Sequence, residues 1–427
     1  MKWSKNIGML MSLGIMCFCA GCAKQDSILT RMYPFAFKVM VSNPAELNRF
    51  EEPVVISVSD IQEINSQFNP FSFVVLAEQG GTFNKVPSQA VDSKGNGKKD
   101  QIQFMVQLSP KAQKTYTIRF SSDTKKEPDY LTRSYAELSV KKGGYFKDNK
   151  YIGGSFHSID SLRVPAQHTD HSFYIRYEGP GWESDLVGYR FYLDWRNAID
   201  IFGKKTTNMV LDQVGQDGFD SYHEMSDWGM DILKVGESLG IGSLGMWHHN
   251  RAERLSETDS VICIIQEDGP IYSRIQTCYY GWQIDQDEFD VKSNLSISAG
   301  SRMTWHQVDI QGNPVNLCTG LVKHENASMV QQDSSGEWGY LFTFGQQSLS
   351  HDHLGMAVVF PNNQFLKFDT DEHNHVVVLK PEKGQLQYGF LAAWEQDQDG
   401  FQTKTEFETY LKQVCEQLSN PLIVEIQ

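Results

Sequence analysis

Arg190, Tyr192, Asp194 and Arg196 alternate with Tyr189, Phe191, Leu193 and Trp195. In an extended chain this places two guanidiniums and a carboxylate on one face, with the large apolar bodies on the other. Paired guanidiniums can hold a uronate carboxylate by bidentate hydrogen bonds, and in a β-elimination they can stabilise the charge left when the neighbouring proton is removed. The same face also has a plain reading, a ladder of cross-strand charges. Asn197, Asp200 and Lys204 add polar groups at the end of the element, so Asp194 and Lys204 join the candidates for substrate contact.

A second constellation follows in Ser221-Tyr222-His223-Glu224, with Asp227, Trp228 and Asp231 just beyond. His223 titrates near neutral pH without help, and Tyr222 can move a proton if a cation lowers its pKa. On a helix, Asp227, Asp231 and Lys234 would share one face while Trp228, Ile232 and Val235 pack inward. Asp227 and Asp231 are then alternative acid/base carboxylates, rather close together for an inverting hydrolase. The plain reading is a histidine held in a turn before an amphipathic helix.

Tryptophans beside polar groups stack sugar rings, which nominates Trp182, Trp228, Trp247 and Trp394, although core packing is the commoner use. His171 joins the candidate site because His168, Asp170 and His171 lie just upstream of Glu178 and Trp182. The pairs His168/His171, His351/His353 and His373/His375 invite a metal, but none has an evident third ligand, so no metal is expected. Asp92 to Asp100 and Glu395 to Glu406 have oxygen ligands at spacings that approach a calcium loop. A turn is the expectation at both, with structural calcium the lesser reading and no other cofactor. Gly236, Gly240, Gly242 and Gly245 lack the strand and helix context of a phosphate loop and suit close backbone approach within a strand.

The elements that must position these groups are mostly strands. From Phe35 to Ser122 apolar residues recur with period two between Pro, Gly and Asn clusters, as in a small antiparallel sandwich. Residues 123–134 are charged, contain Pro128 and read as a linker. Beyond it strands dominate again, for example Phe289–Ile297, Met303–Ile310 and Met356–Phe360, and Thr403 or Thr405 caps a final helix running to about Leu418. The fold expected is mainly β: an N-terminal antiparallel β-sandwich over residues 23–130, then a large mutarotase-like β-supersandwich with a C-terminal helix over 131–427, which carries the site.

At 427 residues the chain exceeds one usual core, and its net charge of −15 rules against a nucleic-acid partner. Lys2 and Lys5, an apolar run from Ile7 to Phe18 and then Cys19-Ala20-Gly21-Cys22 have the order of a secretory signal. The last four residues resemble a bacterial lipobox, with residues 1–22 as signal and Cys22 as the lipidated residue. An outer-membrane lipoprotein is therefore expected, touching the membrane through its lipid alone. Export permits disulfides among Cys263, Cys278, Cys318 and Cys415. A hairpin centred on residues 267–270 would put Cys263 opposite Arg274, so free thiols are preferred.

Three runs, Glu178 to Asp185, Tyr189 to Lys204 and Ser221 to Gly236, resemble domain-of-unknown-function family 4861, exported proteins of polysaccharide-degrading bacteria. That resemblance implies a carbohydrate-utilisation setting, often beside hydrolases of unsaturated uronides, and brings no catalytic residue with it. Together these readings predict a lipid-anchored carbohydrate-active protein, a lyase or hydrolase of uronate-containing plant glycan oligosaccharides. In the lyase form Arg190 and Arg196 neutralise the uronate while His223 or Tyr222 moves the proton. The alternative is a non-catalytic glycan-binding lipoprotein of a polysaccharide-utilisation system.

Overall fold

The structure, a computed structural model, describes residues 28–123, 128–332 and 336–427. The signal segment with Cys22 lies outside them. Among the described residues no helix is long and apolar enough to cross a membrane.

In the first sandwich, Phe35–Ser42 buries Phe37, Val39 and Val41 on one face, as its period of two requires. It lies in a five-stranded sheet with Gln113–Phe120, Phe73–Gln79 and Thr82–Val86, against a three-stranded sheet of Arg49–Ser57, Gln101–Leu108 and Ser88–Val91. Each Val, Ile or Phe buried between them contributes about 1.5–3 kcal/mol. The fifth strand of the larger sheet is Ile423–Ile426 from the far end of the chain, with Val39 opposite Ile426. The first sandwich is thus completed by the last strand. Buried Arg49 ties the same two regions together, donating to Asn43 and Glu52 and to the Gln417 carbonyl.

The second unit is a supersandwich, with every strand pair in it antiparallel. A nine-stranded sheet runs from Ser161–Arg163 at one edge to Ala327–Gln332 at the other. Leu354, Met356, Val358 and Phe360 point from strand His353–Pro361 into the main core, whereas Ala357 and Val359 point the other way, beneath the helix Lys404–Ser419. This strand is apolar on both faces because both are covered. Thr403 caps the helix in a reciprocal capping box with Glu406.

Two five-stranded sheets cover the main-core side. One holds Arg251–Arg254, Gly245–His248, Leu317–Val322, Asn374–Leu379 and Phe365–Thr370. The other positions the candidate site, in the order Gly229–Asp231, Ile199–Lys204, Gly188–Phe191, Gly181–Ser184, Ser134–Glu137. A two-stranded hairpin, Ser139–Lys147 with Lys150–Ser158, stands apart from these sheets.

The described cysteines are all free, as expected, but the expected register is corrected. Cys263 faces Thr277 rather than Arg274, because the hairpin turns between Asp268 and Ser273 rather than around residues 267–270, and a bulge between Ile265 and Glu267 moves the pairing back by one residue. Both calcium readings resolve as turns: Asp92 accepts the Lys94 and Gly97 N–H groups, and buried Asp397 is paired with Arg302 at 2.5 Å.

Candidate functional site

Strand Gly188–Phe191 carries Arg190 into the interior, where its side chain is 3% exposed. An isolated guanidinium there would be prohibitively costly, and neighbouring strands supply the compensation. Asp200 on Ile199–Lys204 lies directly opposite and accepts from Arg190 Nη2 at 2.8 Å. Asp231 on Gly229–Asp231 accepts from the same nitrogen at 2.5 Å. Tyr222 Oη accepts from Nη1 at 2.7 Å. Tyr192 Oη accepts from Nη2 at 2.9 Å and donates to Asp200 Oδ2 at 2.5 Å.

Two carboxylates now face one guanidinium. Burial first, and then Asp231, push Asp200 up to about 6. His223 closes the outer side: its Nε2 lies 3.2 Å from Asp231 Oδ2, and its side chain is 41% exposed. The hydrogen bond from Asp231 raises the His223 pKa, outweighing burial and the repulsion from Arg190.

The Tyr192 ring links this network to a second one. Arg190 and Arg196 both stand over it, with guanidinium carbons 4.9 Å and 3.9 Å from its centroid. Arg196 chelates Asp194 and reaches Glu178 and Asp170, each at 2.9 Å. One oxygen each from Asp170 and Glu178 and a ring nitrogen of His171 lie within 4.8 Å of one another. The two carboxyls are driven apart. Burial, opposed by Arg196 but helped by nearby Glu178, raises Asp170. At Glu178 burial also pushes upward, but Arg196, Arg190 and the His171 N–H outweigh it and hold the group below the usual carboxylate range.

Aromatic rings form the rim. Phe173 stacks on Phe219 at 5.2 Å, and Phe219 meets His171 edge-on at 4.8 Å and His223 at 6.4 Å. The backbone is strained at the same place: His171, Phe173, Tyr177, Glu178 and Asn197 all hold positive φ without being glycine. Each costs about 1 kcal/mol or more, and such residues concentrate at functional sites. A cleft of about 670 Å³, which shares Tyr222 with the Arg190 network, is lined by Val210, Gln213, Asp227 and Trp228, among others.

A family model described as "Domain of unknown function (DUF4861)" matches residues 41–424. The chain belongs to the DUF4861 family. No curated protein matches it. Among solved structures, an alpha-mannosidase from Enterococcus faecalis is similar at a TM-score of 0.45 and 10% identity, over 95% of this chain and 48% of its own. A glycosyl hydrolase family 38 protein from the same species gives the same score and identity, over 96% and 50%. The DUF4861 chain thus spans about half the length of either, and at that similarity neither match bears on its activity.

Several expected placements in this DUF4861 protein are corrected. The strand does not run to Arg196. It stops at Phe191, and residues 194–197 turn back through Asn197, whose N–H donates to the Asp194 carbonyl. Trp195, expected on the buried face, is exposed at that turn. No helix carries Asp227 and Asp231: a short 3-10 turn, Ser221–His223, precedes the strand Gly229–Asp231. Gly229 is the reason. It sits at φ 132, and a Cβ there would meet the Gly203 carbonyl at 1.8 Å, so only glycine lets the two strands approach. Asp231 is consequently buried beside Arg190, while Asp227 is exposed on the cleft.

Arg190 cannot meet a substrate carboxylate, since its donors are engaged internally. Tyr222 is not activated, because burial raises its pKa more than Arg190 lowers it. Trp182 is core: it stacks on Tyr189 and donates its indole N–H to Thr304 at 2.8 Å. Trp394 and Trp247 are buried too. Lys204 is fully buried against Glu183 at 2.5 Å and offers nothing to a ligand. Trp228, half-buried on the cleft, remains placed to stack on a sugar ring.

Arg196, Asp194, His171 and His223 do come together. Asp170, Phe173, Glu178 and Phe219 complete the group, and none of these four had been assigned a role from sequence. Among the described residues, His171 alone of the three histidine pairs stands in a cluster of three ligand-type groups, and there Arg196 already supplies the positive charge. A second such cluster, His248, His249 and Asp285, is surface-exposed for the most part and lies at the end of strand Gly245–His248 and on two turns.

Proposed function

We propose that the protein is a carbohydrate-active enzyme that hydrolyses glycosidic bonds by acid and base catalysis at the Asp170–Glu178 pair. The observation that carries this reading is geometric: Asp170 and Glu178 meet the same guanidinium, Arg196, each at 2.9 Å, and that shared cation is among the causes that displace their pKa values in opposite directions. A carboxyl displaced upward beside one displaced downward matches the division of labour that glycoside hydrolysis requires. Asp170 is the acid that protonates the leaving oxygen, and Glu178 is the ionised partner. Carboxyl oxygens within 4.8 Å of each other are too close for the inverting arrangement, which needs about 6.5 Å or more to admit a water. Phe173, Phe219 and Trp228 offer rings for sugar faces. The family's polysaccharide-utilisation setting agrees with such a substrate.

In this reading His223 is a positioned hydrogen-bond donor rather than the base. Asp231 favours its charged form, and its exposed edge can donate to a sugar hydroxyl or a carboxylate. Elimination is less well supported, because the cation expected to neutralise the uronate, Arg190, is enclosed. The enzyme acts in the cell envelope, held at the outer membrane by a lipid on Cys22. The test is incubation of the soluble protein, begun after Cys22, with pectic and neutral oligosaccharides while reducing ends and ultraviolet absorbance are followed. Reducing ends without absorbance are expected. Absorbance growth from unsaturated products contradicts hydrolysis, and binding without either signal favours the non-catalytic glycan binder.

A further inference from the structure

The hairpin Ser139–Lys147/Lys150–Ser158 carries Lys141, Lys142, Lys147 and Lys150 against one acid, Asp148, in a chain whose net charge is −15. Among the described residues none of these lysines has a carboxylate partner at ion-pair distance, although other lysines, such as Lys99 and Lys204, do. A local excess of unpaired cations on an acidic protein creates a field opposite to that of the rest of its surface.

The hairpin is attached directly to the site rim. The Lys141 N–H donates to the Tyr174 carbonyl at 2.9 Å and the Tyr151 N–H to the Ser172 carbonyl at 2.7 Å, so residues 172–174 lie along its two strands. Phe173, between those two contacts, faces Lys141 Nζ at 6.0 Å and Lys150 Nζ at 5.8 Å. Its ring stacks on Phe219, which touches His171 and His223. The Lys141 and Lys150 ammoniums, the stacked phenyl rings and His171 of the carboxyl cluster therefore follow one another along the rim.

Resting on the hydrolase reading above, we propose that this hairpin is the arm of the site that recognises the anionic groups, carboxylate or sulfate, of a charged glycan. The glycan's charge is then met beside the carboxyl pair, not within it. This relieves a conflict in the site itself, where carboxylates outnumber guanidiniums and Arg190 is out of reach.

The experiment compares the wild-type soluble protein with Lys141→Gln/Lys142→Gln/Lys147→Gln/Lys150→Gln. Calorimetry measures binding of oligogalacturonate, a sulfated galactan oligosaccharide and an uncharged mannan oligosaccharide, at low and high salt. The expected result is tighter binding of at least one anionic probe than of the mannan, weakened by salt and reduced about tenfold or more in the quadruple variant. The carboxylate and sulfate arms show which group is taken. The melting temperature of the variant should fall only slightly, because the lysines hold no ion pair and lose only the ring contacts of Lys141 and Lys150. Equal affinity of wild type and variant for the anionic probes overturns the proposal. So does binding of the mannan alone, or a hairpin-dependent affinity only for anionic phospholipid vesicles. Asp170→Asn separates the two readings: it should keep the lysine-dependent affinity while losing the turnover of the wild type, whereas a wild type that shows lysine-dependent binding but hydrolyses none of the probes sinks the hydrolase reading alone.

Discussion

His223 Nε2 lies 3.2 Å from the Asp231 oxygen that also accepts from Arg190 Nη2. One buried oxygen thus joins a half-exposed imidazole to an enclosed guanidinium, and its charge is shared between them.

The first prediction concerns that sharing. Asp231→Asn should lower the His223 pKa, since the Asp231 hydrogen bond is the largest cause of its elevation. A group whose folded pKa is raised stabilises the fold fully below its unfolded value, about 6.5 for histidine, and loses that contribution as pH rises through the folded value. Proton NMR of the His223 ring in both proteins checks this, and an unchanged titration contradicts it.

Asp200 gives a second pH dependence. Its pKa is raised to about 6 by burial and by Asp231, so its contribution is complete below about 4 and is lost as pH rises through about 6. Melting temperatures between these values should therefore fall less steeply with rising pH in Asp200→Asn than in the wild type.

Arg190→Ala should cost about 3–5 kcal/mol, because it leaves Asp200 and Asp231 buried without their cation. Lys204→Ala should cost a similar amount by stranding Glu183, whose partner is equally buried. Urea denaturation reads both. A loss below about 1 kcal/mol would show that water reaches these pairs.

Much of the fold was legible because period-two burial is a local signal. Phe35–Ser42, Asp287–Ser298 and the capped helix Lys404–Ser419 stand where the pattern places them. The site was legible only in part. Residues 189–196 alternate like a strand, yet the turn through Asn197 is set by its left-handed backbone and by Asp194, which periodicity does not register. Asp227 and Asp231 have helical spacing, but Gly229 and its tertiary contact with Gly203 override it. Burial of Arg190 and Lys204 depends on acids from other strands, and no window of sequence reveals that pairing. Glu178 was visible within its Glu-Gly-Pro-Gly-Trp run, but its role depends on Asp170, Arg196 and two non-glycine residues at positive φ.

Trp228→Ala should weaken binding of a glycan in the cleft by about tenfold, as expected for losing one stacked ring worth roughly 1–1.5 kcal/mol. Trp182→Phe should leave affinity unchanged, since that indole faces Thr304 in the core. Equal losses in both variants would mean that the cleft is not where sugar binds.

The central claim is that Asp170 and Glu178 act as an acid–base pair. Its most direct test is the turnover number of Asp170→Asn and of Glu178→Gln on an oligosaccharide the wild type cleaves, with melting temperatures recorded alongside. The account predicts a loss of about 10²–10⁴-fold in each, with both variants folded and a lower melting temperature in Glu178→Gln, which removes the buried charge that Arg196 holds. Turnover within about twofold of wild type in both folded variants contradicts it, being far below what loss of a general acid or base removes.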